Sequence, residues 1–316
     1  MNNPRDFIGN TPATGRGVVI AIIDSGFAKP DAFVGGWAVA GKPWSDATGH
    51  GTSVAYVAHS AAPGAKLLGV RAMRDGSRML YYDDVCAAID YVGRWAWAHP
   101  TTRVICNISL TGTGWTGIEK HIEALVAAGI PVVVAAGNTG EEEHNIYPSC
   151  CQSPIVVGAV DALGKPAPFS TRHADVDICQ LGVDVCTGEA AQSGTSFAAP
   201  IVAAMCACIL EQHPAYTEPQ VLSVLLARAS PVDFGGFKIP LVRLGTDLTA
   251  EVINVPKGKK LCVYDGPGSE TVIGYVRTGD IVTLMGRQNK WRKIRYLTDK
   301  GVTIIGWANK RYLEEG

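Results

Sequence analysis

Residues 17–23 read "GVVIAII", an unbroken apolar and largely β-branched run that stops abruptly at Asp24. A strand with one face in water alternates polar and apolar residues, so a run without alternation belongs to a strand covered on both sides, as in a parallel sheet. Three further runs repeat the pattern. "VICNISL" (104–110) ends at Thr111-Gly112, "PVVVAA" (131–136) ends at Gly137-Asn138, and "PIVVGAV" spans 154–160.

Helical spacing fills the intervals. From Asp83, read as an N-cap, Val85, Ile89 and Val92 share a face, and from Ile118 the apolar positions Ile122, Leu125 and Val126 lead to a C-terminal Gly129. Strands alternating with helices predict an α/β fold with a parallel sheet, whose ligands gather at the carboxyl ends of the strands. Asp24 and Asn138 both stand at such ends. After residue 250 the pattern changes to short segments between glycine turns (260–264, 272–276, 281–285, 291–296 and 302–307), the signature of a small all-β barrel. Charge changes with it. From Glu251 onward there are 12 basic and 7 acidic residues, against 16 and 22 before it. Two units are expected, residues 1–246 and 247–316.

A formal net charge of −1 argues against nucleic acid as the main ligand. The longest apolar stretches, 130–136 and 201–210, fall short of the ~20 residues a membrane span needs. The opening "MNNPRDFIGN" lacks a basic segment followed by an apolar one, so the chain reads as cytoplasmic or as a mature form whose leader was removed. Nine cysteines cannot all pair internally, and Cys106, Cys206 and Cys208 lie in apolar runs typical of buried thiols. Cys150-Cys151 reads first as two thiols at a turn and second as a strained disulfide. No cysteine pair has zinc-site spacing, so neither a structural metal nor a cofactor is expected.

Three short motifs carry chemistry: "IDSG" at 23–26, "GHGT" at 49–52 and "GTSFAAP" at 194–200. A serine hydroxyl becomes a good nucleophile when an imidazole takes its proton, and the imidazole works best when a carboxylate fixes its tautomer. Asp24, His50 and Ser196 supply those three groups. His50 opens one apolar helical segment (52–58). Ser196 opens another, with Pro200 placed in its first turn. Asn138 offers a side-chain amide for a developing oxyanion. Singly, an aspartate after a strand is a turn residue and a serine before a helix is an N-cap; jointly the four point to acyl transfer. His59, His99, His121, His144, His173 and His213 have no supporting motif and read as surface or packing residues.

On these residues the sequence resembles the subtilisin family of serine peptidases over roughly residues 15–230. "AIIDSG", "GHGTSVA", "VVVAAGN" and "SGTSFAAP" are similar to the family's aspartate, histidine, oxyanion-asparagine and nucleophile motifs, in the family order. "APGAKLLGVRAM", "NISLTG" and "YPSCCQSPIVVGAV" also look like family segments. The resemblance implies a subtilisin-like parallel sheet flanked by helices, an Asp24–His50–Ser196 triad and Asn138 as oxyanion donor. It implies a polypeptide substrate paired along Ser109, Leu110, Thr111 and Gly112, with Ala135, Ala136 and Gly137 walling the primary specificity pocket. Ile146 stands where many members carry a glycine at the pocket floor. Glu141-Glu142-Glu143 reads first as a solvated loop and second as a preference for basic residues. The short link Ala62-Pro63-Gly64 lacks the longer loop that binds calcium in many secreted members, so no calcium is expected there. Asp24 lies near Met1, so the family's pro-region was either cut away or is dispensable.

The C-terminal segment resembles a bacterial SH3-like domain through "VYDGPGSETVIGYVRTGDIVTLMG", "WRKIRY" and "GWANKRYL". That resemblance implies a protein or cell-wall ligand, although Trp291 and Trp307 also fit a core. The expected function is a serine endopeptidase that processes a specific protein or peptide; the alternative is a catalytically silent relative serving as a binding scaffold.

Overall fold

The computed structural model describes residues 1–315 other than 10, 29–31, 75, 76, 78, 189, 228, 245–248 and 299–302. The chain divides into two compact units, Met1–Leu244 and Gly245–Gly316. In order, the first contains β1 (Val18–Asp24), β2 (Phe33–Ala38), α1 (His50–Ala61), β3 (Lys66–Arg71), α2 (Tyr82–Ala98), β4 (Arg103–Ile108) and α3 (Glu119–Ala127). There follow β5 (Val132–Ala135), β6 (Ile155–Val160), β7 (Ile178–Leu181), a small hairpin of β8 (Val185–Cys186) and β9 (Ala191–Gln192), α4 (Thr195–Gln212), α5 (Glu218–Leu226), β10 (Ser230–Asp233) and β11 (Lys238–Leu241).

Nine strands form one sheet in the order β10-β11-β7-β6-β5-β4-β1-β3-β2. Every pairing is parallel except β10 with β11. All seven residues of β1 are buried, as a strand covered on both faces requires. Val19, Ala21 and Ile23 join one core cluster with Val85, Ile89 and Val92 of α2 and Ile122 and Leu125 of α3. α4 packs on β1 and β4 to β7 and against α1. The chain leaves β1 for β3 on one side and returns to β4 on the other, so the topological switch, the place where sheets of this kind bind ligands, falls at the carboxyl end of β1.

Two local expectations are corrected. The N-cap of α2 lies two residues before the Asp83 reading, at Tyr81, which leaves Asp83 and Asp84 in the first turn, where acidic side chains complement the helix dipole. Pro200 lies well inside α4 rather than in its first turn, because the helix starts at Thr195. α4 is also longer than its apolar run. By length and composition it could cross a membrane, but 83% of it is buried inside the unit, and that burial accounts for its apolarity.

The second unit contains β12 (Thr249–Val252), β13 (Leu261–Tyr264), β14 (Val272–Val276), β15 (Ile281–Gln288), β16 (Trp291–Leu297), β17 (Thr303–Asn309) and β18 (Leu313–Glu315). They form one antiparallel sheet. Its own core includes Val252, Val263, Val276, Val282 and Ile294.

Candidate active site

β1 delivers Asp24 to the switch point, fully buried. α1 starts with His50, whose Nδ1–H donates to Asp24 Oδ1 at 2.7 Å. The same oxygen accepts the Ser25 backbone N–H at 2.7 Å, while Oδ2 has no partner among the described residues. The Asp24 charge raises the imidazole pKa, burial opposes it, and the hydrogen bond and the charge of Asp46 add to the rise. Close approach of the two elements depends on Gly51. A Cβ there would lie 2.2 Å from the Gly26 carbonyl oxygen and 3.1 Å from Asp24 Oδ1.

Asp46, which drew no notice in the sequence, organises this corner. Its Oδ2 accepts the backbone N–H and hydroxyl of Thr52 at 2.9 and 2.7 Å. Its Oδ1 accepts Ser25 Oγ at 2.9 Å and the Gly49 N–H at 3.0 Å. Burial raises the pKa of this carboxyl, but the hydrogen bonds from Thr52, Ser25 and Gly49 outweigh it and hold it below the usual carboxylate value. Gly49 has no capping side chain, so Asp46 fills the capping role from outside the helix. On the other side of Asp24, the buried Arg71 donates to the carbonyls of Ser25 and Lys42, at 3.1 and 3.0 Å.

Ser196 is the second residue of α4 and is half-buried. Pro200, four residues on, has no N–H to donate to the Ser196 carbonyl. Ser109 takes that place, with Oγ 2.9 Å from the Ser196 oxygen. The Ser196 hydroxyl donates in turn to the Ser109 carbonyl at 3.2 Å. No hydrogen bond links Ser196 to His50; the imidazole stands beside the next residue, Phe197, with ring centroids 5.7 Å apart. Asn138 Oδ1 accepts both the N–H and the hydroxyl of Thr195, at 2.9 and 3.0 Å. Those two donors fix the amide's orientation and leave Nδ2 as the group able to donate elsewhere, on an exposed residue. Gly137, at φ +106°, makes the turn into Asn138.

Ser109 and Leu110 are buried, while Thr111 and Gly112 are partly exposed. Gly112 exchanges both backbone hydrogen bonds with Tyr147, each 2.9 Å, so its edge is already occupied. The free edge therefore shortens to Leu110 and Thr111, whose backbone groups take no partner among the described residues. Ala135 and Ala136 are fully buried, and a Cβ on Gly137 would lie 3.2 Å from Ile146 Cδ1, so the Ile146 side chain lies over the Gly137 α-carbon. The three adjacent glutamates each have a local partner: Arg172 3.8 Å from Glu141, His144 3.2 Å from Glu142, and the Asn145 N–H 3.1 Å from Glu143.

The model of the subtilase family matches residues 15–259. The chain is 32% identical to Subtilisin E of Bacillus subtilis over 241 residues, covering 69% of this chain and 61% of that protein. It is 32% identical to the Subtilisin of Bacillus pumilus over 241 residues, 69% of this chain and 85% of that protein. Identity to the Thermostable alkaline protease of Halalkalibacterium halodurans is 35% over 227 residues, 66% of this chain and 60% of that one. Among solved structures, a cold adapted subtilisin-like serine proteinase superposes with a TM-score of 0.65 at 27% identity, covering 75% of this chain and 92% of that one. The chain spans about three fifths of the length of Subtilisin E.

Proposed function

The chain belongs to the subtilase family, and from that premise we propose that it is a serine endopeptidase. The observation that carries this reading is the fully buried Asp24 holding His50 in one tautomer at 2.7 Å, beside the α4 start that bears Ser196. In this reading Ser196 Oγ turns from the Ser109 carbonyl toward His50. Such bonds are often loose until substrate arrives. Nε2 takes the hydroxyl proton as Oγ attacks the scissile carbonyl carbon. The oxyanion is met by Asn138 Nδ2 and by the Ser196 N–H, which in the first helical turn has no intrahelical acceptor. A side-chain donor of this kind contributes about 3–4 kcal/mol. The imidazolium then protonates the leaving amine, and water, deprotonated by the same nitrogen, hydrolyses the acyl-enzyme.

The substrate in this proposal is an extended polypeptide that pairs with Leu110 and Thr111. Ala135, Ala136, Gly137 and Ile146 line its primary pocket, and the position of Ile146 supports a shallow pocket suited to small side chains. A fluorophosphonate probe is expected to label Ser196 in the folded chain and to leave Ser196→Ala unlabelled. A folded but unlabelled wild type would favour the scaffold reading.

The proposal extends to a peptidase unit at 1–246 and an SH3-like docking unit at 247–316. It is supported by the separate core of the second unit and by a cavity of about 250 Å³ lined by Tyr264, Trp291 and Tyr312 together with Lys259, Lys260 and Arg311. Those aromatic and cationic side chains suit a protein or wall-peptide ligand. Trp291→Ala is expected to remove a subset of protein cleavages while short-peptide turnover stays unchanged.

A further inference from the structure

His173 is buried to 1% exposure, and neither ring nitrogen has a hydrogen-bond partner among the described residues. A buried imidazole carries one donor and one acceptor in its neutral form, and leaving both unmet costs desolvation with no return. The groups facing it are not apolar. Asp175 Oδ2 lies 3.6 Å from Nδ1, and the His144 ring stands edge-on with centroids 6.0 Å apart. One ligand atom from each of His144, His173 and Asp175 falls within 4.8 Å of the others.

We propose that His144, His173 and Asp175 form a binding site for a divalent transition-metal ion of the zinc or cobalt type. Two imidazoles and one carboxylate are the donor set such ions take, with water completing the shell. Tetrahedral coordination at about 2.0–2.1 Å places ligand atoms about 3.3 Å apart. The three groups therefore need to close by at most about 1.5 Å, and the His144 side chain is exposed. Glu142 Oε1, 3.2 Å from His144 Nε2, supplies the carboxylate that commonly orients a ligating histidine. Cysteine spacing carries no sign of this site, whose ligands are two histidines 29 positions apart and an aspartate.

The ion would fasten the 139–146 loop to the 169–175 segment. These are already laced by Gly140 N–H to the Phe169 carbonyl at 2.8 Å and by Arg172 N–H to the Glu141 carbonyl at 3.0 Å. Asn138 and Ile146 flank that loop, so occupancy would stiffen the oxyanion and pocket residues. That last consequence rests on the peptidase reading; the metal site itself does not.

The test uses the full, untagged chain, stripped with a chelator and titrated with Zn²⁺ and with Co²⁺. Expected are one Zn²⁺ per chain by calorimetry, a rise in Tm on Zn²⁺ addition, and a visible absorption band on Co²⁺ addition. His144→Ala, at an exposed position, is expected to leave the apo Tm in place while weakening Zn²⁺ binding tenfold or more, and Asp175→Asn to weaken it likewise. No Zn²⁺ binding or Co²⁺ band in wild type would overturn the site. So would equal Zn²⁺ affinity in wild type and His144→Ala. Binding intact with labelling of Ser196 absent would retain the site and remove the peptidase reading.

Discussion

At the scale of single residues, Asp46 shows how charge and geometry act together. The negative charges of Asp24 and, to a lesser extent, Asp46 stabilise imidazolium, so His50 keeps its proton to a higher pH than a free histidine. In the proposed mechanism only the neutral ring accepts the Ser196 proton, and kcat/KM should rise with pH through that raised pKa. Removing one negative charge in Asp46→Asn favours the neutral ring, so the acid limb should move to lower pH. A lower plateau with an unmoved limb would mark Asp46 as a scaffold residue alone. Ile146 sets a second expectation. Ile146→Gly clears the space over Gly137 and should raise kcat/KM for a phenylalanine before the scissile bond by about tenfold relative to alanine, as gains of 1–3 kcal/mol in apolar pockets allow. An unchanged ratio would place the pocket elsewhere. Asp24, His50 and Ser196 were legible because each stands in a short motif. Asp46 was not, since an aspartate in a polar loop reads like any turn residue.

Among elements, α4 carries most of the organisation. Its all-round apolarity was plain in the sequence and follows from packing against both the sheet and α1. Its two ends were not legible. At the start, the carbonyl freed by Pro200 is met by Ser109, 87 residues away in the chain. At the other end, Glu211 Oε2 accepts the backbone N–H groups of Thr14, Gly15 and Arg16 at 2.6, 2.7 and 3.1 Å. Burial opposes ionisation of Glu211, but those three donors prevail and lower its pKa. Glu211→Gln keeps the shape and removes the charge, so it should lower stability by about 1.5–3 kcal/mol, the range for hydrogen bonds to charged groups. Urea denaturation reads the loss; a midpoint equal to wild type would show that the turn at 14–16 holds itself.

For the whole molecule, each unit has its own buried cluster. Ile294→Ala empties a fully buried position in the second and should cost that unit about 2–5 kcal/mol. Calorimetry should show one transition moving down while short-peptide turnover is preserved; equal loss of both would mean that the units unfold together. The sequence alone determined the parallel sheet, the alternation of strands and helices, the change of pattern near residue 250, and the placing of Asp24 and Asn138 at strand ends. Those features follow from hydrophobic period and turn chemistry, which act over a few neighbouring residues. Only the tertiary structure decided that Ser109 would serve the Ser196 carbonyl, that Thr195 would orient Asn138, that Tyr147 would occupy the Gly112 edge, and that His144 would meet His173. Hydrogen bonds and ligand sets are settled within a few tenths of an ångström. That precision arises where distant strand ends and loops converge, and no local propensity encodes it.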